Sequence, residues 1–149
     1  MPIAETVRAT VTAADCDQLG HMNVGRYFGI CGDGVFALQA RAGLDPDDIA
    51  SGRRLSFAVV NAVGDFRSEV HEGEALRLET GVLRVGGKSA MFLHRLHAGD
   101  GAGRLVFEGR FTSALMDLVS RRAGPIPGDL RKALERFGVD ETGQERTAP

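Results

Sequence analysis

The stretch that decides the fold is NVGRYFGICGDGVFALQARAG, residues 23–43. Its apolar residues recur every three or four positions, at Val24, Phe28, Cys31, Val35, Leu38 and Ala42. That spacing places them on one face of an α-helix. Asn23 is suited to cap the amino end, and Gly43 is suited to end the helix. The sequence therefore predicts one long helix over residues 23–42.

This predicted helix contains four glycines, Gly25, Gly29, Gly32 and Gly34. Each interior glycine costs a helix about 1 kcal/mol relative to alanine. The first three step by four and then three, so they form a second stripe along the helix. Because glycine permits close approach of a backbone, we expect this stripe to be held tightly against a sheet face.

Most of the chain outside this helix has the pattern of β-strands. The strand-like segments are residues 3–13, 53–63, 65–70, 75–85, 89–98 and 104–118. Turn signals separate several of them, including Gly86–Gly87, so we expect consecutive antiparallel hairpins. The segment GLDPDD, residues 43–48, is predicted to be a loop. Residues 125–138 predict a short helix whose apolar face carries Leu130, Ala133, Leu134 and Phe137. Because helices and strands do not alternate, the sequence predicts an α+β fold with a sheet wrapped around the long helix.

The 149 residues are expected to form a single domain over residues 1–138, followed by a disordered tail over 139–149. The formal net charge of −2 and the absence of a basic stripe argue against a nucleic-acid partner. The first residues lack a signal-peptide pattern, and no apolar run approaches the roughly 20 residues that span a bilayer. We therefore expect a cytoplasmic protein without membrane association.

Two sequence patterns are expected not to form the sites that they suggest. The segment GVLRVGGKS, residues 81–89, has one residue too many between its glycines for a P-loop, and a strand follows it. His94 and His97 lie three residues apart on a predicted strand and so face opposite ways. The cysteines, Cys16 and Cys31, lack the spacing of a disulfide framework or a zinc site, and Cys31 is expected in the core. We predict that no metal is bound.

Polar groups are concentrated just before the long helix, in DCDQLGHMNVGRYF, residues 15–28. The first N–H groups of a helix lack partners within it and carry partial positive charge. A carbonyl oxygen placed on the N–H near Val24 would be polarised there, as in an oxyanion hole. Asp17, in the preceding turn, could attack that carbonyl carbon or activate a water molecule. Because thiolate is a good leaving group, such a site suits a thioester better than an amide.

The same stretch resembles the signature of the hotdog-fold acyl-CoA thioesterases, the 4-hydroxybenzoyl-CoA thioesterase-like group. That signature reads Asp-x-Asp-x-x-Gly-His-x-Asn, with a tyrosine four residues later. Residues 66–96 and 116–127 are similar to the later strands and the exit of that family. The resemblance implies a long central helix wrapped by a curved antiparallel sheet of five to six strands. It also implies hydrolysis of an acyl-CoA without any cofactor beyond the CoA of the substrate, by a homodimer or tetramer.

The resemblance further implies roles for individual residues. Asp17 would be the nucleophile or general base. The substrate and oxyanion positions would be Gly20, His21, Asn23, Val24 and Tyr27. The candidates for contact with CoA, chiefly its phosphates, are Arg84, Gly87, Lys88, Ser89, Arg121 and Arg122. Many relatives carry two asparagines after the histidine, whereas this chain has Asn23 and then Val24, which leaves the main-chain role at Val24 intact.

Three alternatives remain open at this point. The same fold hosts hydratases and dehydratases that act on acyl thioesters, and these usually pair a carboxylate with a histidine across a pocket. A non-catalytic module that binds acyl-CoA is the second alternative. The third is a substrate carried by acyl carrier protein rather than by CoA. The identity of the acyl group is not predicted.

Overall fold

The computed structural model describes residues 3–146 of the chain. The strands are β1 (Ala4–Thr10), β2 (Leu55–Phe66), β3 (Ala75–Val85), β4 (Ser89–Ala98), β5 (Arg104–Asp117) and β6 (Arg122–Ala123). The helices are α1 (Val24–Arg41), α2 (Pro46–Ala50) and α3 (Gly128–Glu135), and a 3-10 turn at Ala13–Asp15 precedes α1. This is the predicted α+β architecture, with six antiparallel strands and one long helix.

The sheet runs in the order β1-β3-β4-β5-β2, and β6 pairs with the last residues of β5. The predicted break near residue 64 is wrong, because β2 continues through Gly64, which pairs with Gly109. A Cβ at Gly64 would lie 2.3 Å from the ring of Phe107. This glycine is therefore explained by packing against an aromatic ring and does not mark a turn.

Helix α1 begins and ends where the sequence predicts. The side chain of Asn23 accepts a hydrogen bond from the Gly25 N–H at 2.8 Å, and Gly43 follows the helix with φ of +110°. Cys31 and Leu38 are fully buried, as predicted for the apolar face. Val24 departs from that face, because its side chain is 54% exposed at the helix amino end.

The glycine stripe faces away from the sheet, contrary to the prediction. Beyond the nearby backbone of α1, a Cβ placed on Gly29 or Gly32 would meet no atom of the described residues within 4 Å, and Gly25 is exposed. Only Gly34 makes the expected close approach, since its Cβ would lie 2.6 Å from Leu78 Cδ2. The stripe and the buried face therefore lie on different sides of α1.

Of the two shorter helices, α3 was predicted and α2 was not. Helix α2 begins within the segment predicted as a loop, because Asp45 caps it by accepting from the Asp48 N–H at 2.9 Å and Pro46 occupies its first turn. Helix α3 buries Leu130 and Leu134 as predicted. Within residues 3–146, α1 and the other helices are too short or too polar to cross a bilayer.

In place of the predicted disorder, residues 139–146 lie against the sheet, and residues 147–149 fall outside the described part of the chain. Val139 is fully buried, and its N–H donates to the Val82 carbonyl at 2.9 Å. Strand β1 begins at Ala4, opposite Thr80, so within the described residues the part of the β3 edge beyond Thr80 has no partner in β1. The C-terminal segment occupies that place, and so satisfies backbone groups that would otherwise lack hydrogen bonds.

Candidate active site

Asp17 begins the tight turn that leads into α1. The Gly20 N–H donates to the Asp17 carbonyl at 3.0 Å, and the Asp17 N–H donates to the His21 carbonyl at 3.2 Å. Gly20 has φ of +83°, a backbone conformation that strongly favours glycine. The glycine predicted to let the chain turn past a substrate is thus required by the turn itself.

Asp15 anchors this turn to its surroundings. Its carboxylate accepts from the Thr12 N–H at 2.8 Å and lies 3.3 Å from Arg26 Nε, and its carbonyl accepts from the Asn23 N–H. The hydrogen bond from the Thr12 backbone is the main cause that lowers the pKa of Asp15. Because these contacts occupy it locally, Asp15 acts as a structural residue of the turn.

The carboxylate of Asp17 is half-buried and accepts two hydrogen bonds. Oδ1 accepts from the Leu19 N–H at 2.9 Å, and Oδ2 accepts from Asn23 Nδ2 at 3.3 Å. Among the described residues, no cationic side chain pairs with it. Asp17 is therefore held in place without being neutralised, which suits either a nucleophile or a general base.

The amino end of α1 supplies a hydrogen-bond donor beside this turn. Val24 is the first residue of α1, so its N–H has no acceptor within the helix. The next N–H, that of Gly25, is satisfied by Asn23. Since Val24 is exposed, its N–H remains available to polarise an incoming carbonyl group.

A cavity of about 350 Å³ opens beside the same helix end. Its lining residues are His21, Met22, Val24, Tyr27, Phe66, Arg67, Ser68 and Glu69. The ring of Tyr27 packs edge-on against Phe66, with centroids 5.0 Å apart, and burial raises the pKa of Tyr27. Of the predicted substrate positions, His21, Val24 and Tyr27 therefore line the cavity, whereas Gly20 and Asn23 lie in the adjoining turn with the predicted catalytic residue, Asp17.

His21 uses one ring nitrogen within the turn. Nδ1 lies 3.2 Å from the Met22 carbonyl, and because a carbonyl only accepts, Nδ1 is the donor of this hydrogen bond. This contact orients the ring at the cavity wall. The predicted role of His21 in ordering the pocket has a geometric basis here, and a role in proton transfer stays a prediction.

The rim of the cavity includes a loop that the sequence did not single out. Arg104 holds this loop by donating to Glu74 Oε1 at 2.7 Å, to the Glu69 carbonyl at 2.8 Å and to Ser68 Oγ at 3.2 Å. The Arg104 guanidinium is the main cause that lowers the pKa of Glu74 to about 2. The only available sequence signal was Phe66, an apolar residue at a strand end followed by polar residues.

The residues predicted to contact CoA lie at the other end of the sheet. The Lys88 carbonyl accepts from the Leu115 N–H at 2.8 Å. In the β5–β6 strand pairing, the backbone of Arg122 lies opposite that of Asp117. The segments 87–89 and 121–122 therefore meet near the end of β5. Arg84 is exposed near the end of β3. The turn of Asp17 contacts the opposite end, because the Met22 N–H donates to the Val70 carbonyl. The 11 residues of β3 span about 35 Å, so one chain does not bring Asp17 and these cations together.

A metal site is not evident in the part of the chain that the structure describes. No three His, Cys, Asp or Glu side chains of residues 3–146 are grouped as metal ligands. His94 faces the core and is fully buried, and burial lowers its pKa to about 3, whereas His97 lies beside Glu79 on the outer face. The two histidines thus point to opposite faces, as predicted. The prediction that the reaction needs no metal or other cofactor stays a prediction.

A curved antiparallel sheet that wraps one long helix, with a polar turn at the helix amino end, defines a hotdog fold. The model of the thioesterase-like superfamily matches residues 11–134, and the chain belongs to that superfamily. This confirms the family that the sequence motif indicated. No curated protein matches the chain significantly by sequence.

Solved structures share the fold at low sequence identity. A hypothetical protein from Staphylococcus aureus, solved in complex with CoA, is 17% identical to this chain, with a TM-score of 0.81. The match covers 99% of this chain and 90% of that protein. A 1,4-dihydroxy-2-naphthoyl-CoA thioesterase from Synechocystis is 18% identical with a TM-score of 0.71, covering 86% and 93%. A predicted thioesterase from Bacillus stearothermophilus is 20% identical with a TM-score of 0.76, covering 92% and 98%. At these identities the likeness shows the fold.

Proposed function

We propose that this protein hydrolyses an acyl-CoA thioester to the free acid and CoA. The observation that carries the proposal is the position of Asn23, which holds the Asp17 carboxylate from one side and caps the helix that presents the Val24 N–H from the other. An anionic group and an available backbone donor are thereby fixed next to an apolar cavity. Membership of the thioesterase-like superfamily supports the same reaction.

In the proposed reaction, the acyl group enters the cavity that Tyr27 and Phe66 line, and its carbonyl oxygen accepts from the Val24 N–H. Asp17 takes a proton from a water molecule as the water oxygen attacks the carbonyl carbon. The tetrahedral intermediate collapses, the C–S bond breaks, and the CoA thiolate leaves and is protonated. If Asp17 instead attacks directly, the C–S bond breaks and the CoA thiolate leaves as a mixed anhydride forms, and water then hydrolyses the anhydride.

We also propose that the site is completed by a second copy of the chain. Among the described strands, β2 forms one edge of the sheet and pairs only with β5, and it exposes Val60 and Val63, at 64% and 52%. Apolar edge strands of this length favour pairing with another strand. If two copies of β2 pair antiparallel about a two-fold axis, the Phe66 end of one lies beside the Leu55 end of the other.

Such a dimer would join the two halves of the predicted site. In each chain the Asp17 turn lies at the Phe66 end of the sheet, and the predicted CoA-binding cations lie at the Leu55 end. Pairing therefore sets the Asp17 turn of one copy beside Arg121 and Arg122 of the other. This arrangement would place the thioester at Asp17 while the nucleotide of the same CoA contacts the second copy.

The test is release of free thiol from short, medium, long and aromatic acyl-CoAs by the wild-type protein and Asp17→Asn. The substitution keeps the shape of the side chain and removes its charge. We expect turnover by the wild type and a loss of 10²–10⁴-fold in the variant, the usual contribution of a general base. A folded, dimeric Asp17→Asn variant with full activity would move the chemistry to another residue. Binding of acyl-CoA without turnover by the wild type would favour a binding module or a hydratase. Label found in Asp17 after one turnover in H₂¹⁸O would identify it as the nucleophile, because a general base acquires none.

A further inference from the structure

Two arginines adopt a backbone conformation that favours glycine. Among residues 3–146, the non-glycine residues with positive φ are Arg54, at 56°, and Arg121, at 63°. The left-handed region is disfavoured for any residue with a Cβ atom, and for non-glycine residues it is mainly asparagine and aspartate that adopt it. Strained backbone of this kind tends to persist where the side chain serves a function.

These two arginines are neighbours at one end of the sheet. The Arg54 carbonyl accepts from the Leu118 N–H at 2.8 Å, and Leu55 pairs with Asp117. The Arg121 N–H donates to the Asp117 carbonyl at 2.7 Å. Both residues are thus fixed to the end of β5, Arg54 from the β2 side and Arg121 from the turn that follows.

The charge of Arg54 is not neutralised by an ion pair within the described chain. Its neighbour Arg53 pairs with Asp129 at 2.7 Å and with Asp48 at 3.4 Å. Arg54 makes no such pair, and its Nε is buried without a hydrogen-bond partner in residues 3–146. A buried N–H without an acceptor is costly, so this donor is suited to a ligand.

Asp117, an acidic residue whose carboxylate interacts with the charge of Arg54, is already engaged. Its Oδ1 accepts from the Ser120 and Val119 N–H groups at 3.0 and 2.8 Å. These hydrogen bonds are the main causes that lower the pKa of Asp117, and the charge of Arg54 contributes less. Asp117 therefore shapes the turn that carries Arg121 and leaves the Arg54 guanidinium available.

Further cations lie on the other side of β5. Lys88 and Gly124 both hydrogen-bond to the backbone of Leu115, so Lys88 lies close to the segment that carries Arg122. Lys88 and Arg122 are exposed and make no ion pair in the described part of the chain. The strands on the two sides of β5, β2 and β6, are two strand spacings apart, or about 10 Å.

We propose that Arg54 and Arg121 form a phosphate-binding pair that takes the phosphates of the CoA nucleotide. Arg54 lies outside every motif of the sequence, and this inference rests on the proposed function. A guanidinium can donate two parallel hydrogen bonds to a phosphate, which a lysine cannot do. Glycine would relieve the backbone strain at either position, but it would also remove the guanidinium.

The decisive variant is Arg54→Gly, because the proposal predicts opposite changes in stability and binding. We expect its melting temperature to rise, since glycine is unstrained at this φ. We expect its affinity for CoA, measured by calorimetry on the full-length protein, to fall at least tenfold. Arg53→Ala is the matched control. It removes one arginine charge from the neighbouring position, where the side chain is already paired with Asp129 and Asp48. Its affinity for CoA should stay within twofold of the wild type.

A second readout separates phosphate binding from a structural role. With an acyl-CoA, Arg54→Gly should raise KM at least tenfold and leave kcat nearly unchanged. With the corresponding acyl-pantetheine, which lacks the nucleotide, KM should not change. An equal loss with both substrates, or an unchanged affinity for CoA, would overturn the proposal.

Failure of this inference is distinguishable from failure of the proposed function. Hydrolysis of acyl-CoA with the same KM in Arg54→Gly would overturn the phosphate pair alone. Absence of hydrolysis in the wild type would overturn the proposed reaction, and calorimetry with CoA would still test the pair. A wild-type protein that binds CoA no better than pantetheine would overturn the pair whatever the activity.

Discussion

Asn23 donates from Nδ2 to Asp17 Oδ2 across 3.3 Å, while its own Oδ1 accepts from the Gly25 N–H at 2.8 Å. One exposed side chain thus positions the candidate carboxylate and caps the helix that presents the Val24 N–H. Its two polar atoms serve different purposes, because only the amide nitrogen contacts Asp17. The contributions of Asn23 to stability and to activity are therefore separable by substitution.

Asn23→Ser should retain the cap and lose the contact with Asp17, because a serine hydroxyl also caps a helix well. We expect the free energy of unfolding to change by less than about 0.5 kcal/mol. We expect kcat to fall roughly tenfold, the effect of losing one modest hydrogen bond that positions Asp17. Asn23→Ala should lose both contacts and about 1 kcal/mol of stability. Urea unfolding and thiol release check the two effects, and equal activities of Asn23→Ser and the wild type would contradict the positioning role.

The ion pair of Glu74 and Arg104 should make stability depend on pH in the acid range. The pKa of Glu74 is lowered from 4.5 to about 2, so the pair stabilises the fold above pH 4.5 and this contribution is lost as the pH falls towards 2. Glu74→Gln should cost about 1–2 kcal/mol at pH 7, allowing for solvent screening, and nothing near pH 2.

Unfolding in urea across this pH range measures the effect of Glu74→Gln. Glu72→Gln is the control, because Glu72 is exposed in the same loop and makes no ion pair in the described chain. The pair also holds the cavity rim through Arg104, so Glu74→Gln should raise KM for acyl-CoA more than Glu72→Gln does. A difference in stability between wild type and Glu74→Gln that is the same at every pH would contradict this account.

Val63→Lys should disrupt the proposed dimer, because it places a charge on the exposed apolar edge of β2. We expect a monomer in solution, with little change in the circular dichroism of the fold. Hydrolysis of acyl-CoA should fall at least tenfold, since the Asp17 turn would lose the cations of the second copy. Val119→Lys, at an exposed valine in the turn beyond β5, is the control and should stay dimeric. Mass measurement in solution decides the matter, and a dimeric Val63→Lys would place the interface elsewhere.

The helix and most strands were predictable because their patterns are local. The spacing of Cys31, Val35 and Leu38 fixes the buried face of α1, and the Gly86–Gly87 turn fixes the β3–β4 hairpin. The placement of residues 139–146 was not predictable, because it depends on where β1 begins along the edge of β3. The role of Gly64 likewise depends on a ring, that of Phe107, 43 positions further along the chain.

The candidate site divides in the same way. Asp17, Gly20 and Asn23 lie within seven residues, so a local motif identifies the turn that they form. The rest of the cavity rim, residues 67–69, and the backbone of Arg54 carry no local signal. Both are set by contacts between segments distant in sequence, such as that of Arg54 with Leu118.

Two glycine-to-alanine substitutions test which face of α1 is enclosed. In Gly34→Ala the new Cβ would lie 2.6 Å from Leu78 Cδ2 and 2.9 Å from Thr80 Oγ1, so we expect a net loss of about 1–3 kcal/mol from overpacking. In Gly29→Ala the Cβ meets nothing within 4 Å in the described chain, so the gain in helix propensity should stabilise the monomer by up to about 1 kcal/mol. Unfolding in urea compares the two variants at a protein concentration low enough to favour monomers. If Gly29→Ala destabilises the protein only at concentrations where it assembles, the glycine stripe packs against a second copy, which would explain why an exposed helix face carries glycines.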